Sequence, residues 1–157
     1  MGSAGATGTT TVSTTGATAG TTTAVSSRPH MVTAAMTAVN TSLAGAGTTG
    51  TDVFTVFTAG SNGSFVQRVR FKAAAFGGAA ACGRVFINTA ANANPVAGDS
   101  VLFDEITLPL TTVSASSATA VYELPLNFAI PAGYRIMVTL GATVTGGWYA
   151  SCIGGDY

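Results

Sequence analysis

Alternation is the clearest signal in this chain. In "SFVQRVRFKA", residues 64–73, Phe65, Val69 and Phe71 share one parity with Gln67. Val66, Arg68, Arg70 and Lys72 share the other. Successive side chains of a strand point to opposite faces, so this spacing predicts a strand with one buried face and one wet face, the three cations outward. "GYRIMVTLG", residues 133–141, repeats the pattern, with Tyr134, Ile136, Val138 and Leu140 inward and Arg135 outward. Strands are expected over 52–59, 64–74, 81–89, 100–108, 119–128, 133–142 and 147–153. The breaks between them, "GSNGS", "AFGGAA", "NANPVAGD", "IPAG" and "TGG", carry turn chemistry. Strands at this spacing, with no helical pattern between them, predict an all-β sandwich or jelly roll over residues 51–157. Phe54, Phe57, Phe65, Phe71, Phe86, Phe103, Ile136, Val138 and Leu140 are the expected core.

Residues 1–50 are different in kind. They hold fifteen Thr and eight Gly, and Arg28 is their only formal charge. "TTTVSTTGATAGTTTAVSS" has no large apolar side chain and cannot build a core. Thr and Val favour extended backbone, while Gly opposes helix. The segment is therefore expected to be an extended arm ahead of the sandwich, and fifty stretched residues span about 165 Å. Within it, "RPHMVTAAMTAVN", residues 28–40, fits a short helix opened by Pro29 or an irregular segment equally well.

Charge changes the picture more than size does. The chain has 157 residues, enough for one domain with a real core, yet only 8% are charged and 47% are apolar. Roughly a quarter charged is usual. Such a surface is a solubility liability for a free monomer, so much of it is expected to be covered by other chains. Six basic and six acidic residues cancel, which argues against nucleic acid as a partner. No run of about eighteen apolar residues spans a membrane, and the N-terminus lacks the basic and apolar regions of a signal peptide.

Candidate chemistry is thin. His30 is the only histidine and lies in the arm; Cys82 and Cys152 are the only cysteines. Two lone cysteines make no metal framework, and buried free thiols are preferred to a disulfide or a reactive thiol. Asp104 and Glu105 point to opposite faces of a strand, so they share no site, and one of them is expected to pair with Arg84 or with the 68–72 row. Glycine-rich pieces lack the phosphate-loop pattern. Trp148 and Tyr149 suit either a core or a sugar-stacking role. No cofactor or metal is implied. Arg68, Arg70 and Lys72, with Arg28 of the arm, form the candidate intersubunit or docking surface.

The stretch "GTDVFTVFTAGSNGSFVQRVRFKA", followed by "RVFIN", "LFDEITLP" and "YELPLNFAIPAGYRIMVTLG", resembles small bacteriophage virion proteins of the capsid decoration, or cement, type. The resemblance covers about residues 50–157. It implies a jelly-roll-like domain, a homotrimer, the major capsid protein as partner and a place on the outer surface of the phage head. It implies no catalytic residue, which suits the expectation that this is not an enzyme. A tail or fibre-associated protein that binds cell-surface glycan is the alternative.

Overall fold

The structure is a computed structural model that describes residues 26–75 and 80–157. The expected arm up to residue 25, and most of the "AFGGAA" turn, lie outside the described residues. Eight strands form two four-stranded sheets: β1 (Ser26–Met31), β2 (Phe54–Thr58), β3 (Ser64–Ala73), β4 (Ala81–Asn88), β5 (Ser100–Leu108), β6 (Val121–Ile130), β7 (Arg135–Leu140) and β8 (Trp148–Asp156). The first sheet has the order β1-β8-β3-β6 and the second β2-β7-β4-β5, every pairing antiparallel. First strand pairs with last, second with seventh, third with sixth, and fourth with fifth. The chain is thus all-β, with two sheets packed as a sandwich around Phe57, Val66, Val69, Phe71, Ile136, Val138, Leu140 and Trp148.

The sandwich begins earlier than residue 51. Ser26–Met31 is an edge strand of the first sheet, held along the length of β8. No helix forms over 28–40. The chain instead leaves β1 as an irregular crossover pinned by backbone hydrogen bonds. Met36 exchanges two with Trp148, at 2.9 and 3.0 Å, and the Asn40 N–H donates to Leu140 O at 2.7 Å. Residues 40–53 then lie on the outside of the second sheet. Val53 joins Phe86 and Met137 there in a small second core, with Leu102 against it. Gly45, at φ 68°, lies so close that a Cβ would stand 2.8 Å from Ser100 Cβ and 2.9 Å from the Phe86 ring. Asn40 Nδ2 and the Thr48 N–H both donate to the Asp52 carboxylate, at 3.1 and 2.6 Å, which fixes the loop. This cover is why β7 is buried on both faces, Met137 and Thr139 included, rather than on one.

Two departures from simple alternation have local causes. The register of β3 against both neighbours slips between Val66 and Arg68. Against β8 the extra residue is in β3, since Val66 to Arg68 opposes Gly154 to Ile153; against β6 it is in β6, since the same step opposes Phe128 to Pro125. Val66 therefore turns inward with Val69 and Phe71, while Phe65 is half-buried and Gln67 exposed. The cations keep their outward parity. Opposite the bulge, Asn127 takes a left-handed conformation, φ 53°, which Asn tolerates better than most residues. The second departure is Phe103, expected in the core and found 42% exposed. It lies on β5, an edge strand whose register against β4 also slips. It leans on Phe128 of β6 with ring centroids 4.8 Å apart.

Candidate functional site

The outer faces of the two sheets differ. The second is capped by residues 40–53 and locked by Arg135, which the sequence pattern placed outward. Its guanidinium does leave the core, but it donates to Asn88 Oδ1, at 2.8 and 3.1 Å, and to the carbonyls of Ala90 and Asn92, so it ties down the loop after β4. The first sheet has no such cover among the described residues, and it carries the cation row.

Strand register arranges that face as a grid. Across β1, β8, β3 and β6, one line is Pro29, Ile153, Arg68 and Pro125; the next is Met31, Ser151, Arg70 and Glu123. Beyond it, Tyr149, Lys72 and Val121 stand in line on β8, β3 and β6. Arg28, the fourth residue of the expected surface, lies on β1 with its backbone opposite Gly154. Both edge strands of this sheet carry a proline, Pro29 and Pro125, which removes a backbone donor and discourages further strand pairing.

One carboxylate serves the row. Glu123 lies 2.8 Å from Arg70 Nε and 3.5 Å from Arg68 Nη1. Yet the Nε–H groups of both arginines are buried and donate no directed hydrogen bond. The contact with Glu123 is thus Coulombic, between side chains about 40% exposed, and a pair of this kind contributes about 0–1 kcal/mol. Among the described residues, Lys72 has no acidic partner. Two shallow grooves flank the row. One, about 280 Å³, is lined by Arg70, Lys72, Tyr149, Ser151, Val121 and Met31. The other, about 350 Å³, lies along Gln67, Arg68, Glu123, Pro125 and Asn127. Among the described residues the face thus combines three cations, one carboxylate and exposed apolar side chains.

The remaining candidates are placed elsewhere. Trp148 is fully buried, its ring edge-on to Tyr122 at 5.6 Å, so it cannot stack on a sugar; only Tyr149 of that pair reaches the surface. His30 packs on Phe57, ring centroids 4.5 Å apart, at the open side between β1 and β2. Glu105, of the acidic pair, holds Arg84 Nε at 2.7 Å, and this hydrogen bond keeps its carboxyl below the usual range. Cys82 and Cys152 are both free thiols. Burial and the neighbouring Glu105 push the Cys82 thiol up, and burial alone pushes Cys152 up to about 12, so both stay protonated and weakly nucleophilic near neutrality. Among the described residues, no group of three or more His, Cys, Asp or Glu is placed to hold a metal ion. The sequence pattern missed one anchor: Asp156 accepts from the Gly60 N–H at 3.1 Å and from the Ser64 hydroxyl at 2.5 Å. It clasps the β2–β3 turn, and nothing in local sequence links residues so far apart.

No protein-family model matches the chain, and neither a curated protein nor a solved structure does.

Proposed function

We propose that this protein is a bacteriophage capsid decoration protein, which docks as a trimer on the outer surface of the head and bridges subunits of the major capsid protein. The observation that carries this reading is the open face of the first sheet, where Arg68 and Arg70 share one carboxylate and Lys72 has none among the described residues, beside exposed Met31, Tyr149 and Val121. The sequence resemblance points the same way. So does the pairing of first strand with last, second with seventh, third with sixth and fourth with fifth, which we read as a jelly roll.

The mechanism is fastening. The sandwich supplies a rigid docking face, and residues 1–25, uncharged and without a side chain larger than Val after Met1, supply a leader that spans at most about 80 Å. Contacts linked in one chain, and then in one oligomer, add avidity without any single strong contact. Apolar burial at the docked face contributes about 25 cal/mol per Å². Repetition over a shell makes a modest surplus per copy sufficient.

The test uses heads assembled from the cognate major capsid protein. Arg68→Gln/Arg70→Gln should abolish or strongly weaken head binding while the fold and self-association are kept. Deletion of residues 1–25, which spares β1, should weaken it in part. Undiminished binding by the double variant discards the docking face. A second reading, a tail-associated glycan binder, is favoured by one feature: Tyr149 opens into a groove with Arg70, Lys72 and Ser151, which suits an acidic sugar. Copies confined to the tail, rather than spread over the head, would select it.

A further inference from the structure

Eleven of the twelve charged residues have described side chains, Arg28 being the exception. Most are committed internally. Asp52, Asp99 and Asp156 hold backbone amides of their own loops and turns. Glu105 holds Arg84, Glu123 serves Arg68 and Arg70, and Arg135 holds carbonyls. Among the described side chains, Lys72 is left without an acidic partner and Asp104 without a basic one; Asp104 accepts only the N–H of Glu105, at 2.8 Å.

The two lie on different surfaces, each with apolar neighbours. Lys72 stands between Tyr149 and Val121 at the groove of the first sheet. Asp104 stands on β5, the edge of the second sheet, beside Phe103 and near Val101, which is 66% exposed. β5 is a nine-residue edge without proline, unlike both edges of the first sheet, and exposed apolar side chains on such an edge call for a cover.

We infer that the cover is a second copy of this chain: the β5 edge of one protomer seats in the Lys72 groove of the next, Asp104 pairing with Lys72 while Phe103 and Val101 pack on Tyr149 and Val121. The contact joins two unlike patches, so it runs head to tail and closes into a ring when the rotation per copy divides a full turn. The inference rests on the self-association within the decoration reading and names its residues. Apolar flanks matter because an ion pair in water adds little, whereas one enclosed at an interface couples more strongly.

Charge reversal tests it. Lys72→Asp and Asp104→Lys alone should each weaken self-association by at least ~10-fold in sedimentation velocity. The double reversal should restore it. Both positions are on the surface, and circular dichroism checks that each variant folds. A wild-type protein that is monomeric at all concentrations, single reversals that associate normally, or a double reversal that fails to recover would each overturn the pairing. Head binding is scored separately. Wild-type rings that ignore heads would sink the decoration reading and leave the contact standing; monomeric wild type that coats heads would sink the contact and the trimeric form of docking, and leave head decoration standing.

Discussion

Replacing Trp148 separates packing from polarity at the centre of the sandwich. The indole is fully buried, edge-on to Tyr122, and its Nε1–H has no acceptor among the described residues. Trp148→Ala removes the whole ring and leaves a cavity between the sheets, at a cost of about 3–5 kcal/mol. Trp148→Phe behaves differently. It forfeits about two buried carbons, or ~1.6 kcal/mol at ~0.8 kcal/mol each. It also removes an orphaned donor whose desolvation costs about 1–3 kcal/mol. The two effects offset, so Trp148→Phe should lie within about 1 kcal/mol of wild type. Urea denaturation followed by far-ultraviolet circular dichroism reads both variants on one scale, since the tryptophan signal is lost in each. A Trp148→Phe loss above ~3 kcal/mol would refute the reasoning, because it would mean the indole N–H is satisfied in the folded protein.

Two further outcomes follow from buried groups elsewhere. Asp156→Ala should cost about 2–3 kcal/mol, because the Gly60 amide and the buried Ser64 hydroxyl lose a charged acceptor, while Asp156→Asn keeps an oxygen there and should recover roughly half; an alanine loss under ~0.5 kcal/mol in the same titration would show the clasp to be inert. Cys152 is held at about 12 in the fold against 9.0 when exposed, so its contribution is fully present below pH 9 and is lost as pH rises toward 12. Measured against Cys152→Ala, the wild type should lose about 2 kcal/mol by pH 10.5, from a slope of ~1.4 kcal/mol per pH unit; parallel profiles would contradict it.

Local sequence specified the strands well because a strand's parity is a local property. β3, β4 and β7 coincide closely with their apolar runs, and the cations at 68, 70 and 72 face outward as their spacing requires. The same rule failed just before the row, at Phe65, Val66 and Gln67, because a bulge is set jointly by the strand and its two partners. Composition also misled at residues 26–50. They resemble the leader in their Thr and Gly content, yet β8 presents an open backbone edge to them and the second sheet an apolar face. Hydrogen bonds and burial supplied by distant segments outweigh weak local propensity there.

What the chain alone determined was the all-β class, the alternation that sends three cations to a wet face, and the scarcity of charge. Tertiary structure decided which face stays open, since residues 40–53 and Arg135 close the second sheet and leave the first uncovered among the described residues. It also decided that Trp148 is core, that Asp156 is a clasp, and that Lys72 and Asp104 keep unspent charge. Pattern along a strand reports only the direction of a side chain. Whether that direction meets solvent, a loop or another chain depends on segments far away in sequence, brought close by folding.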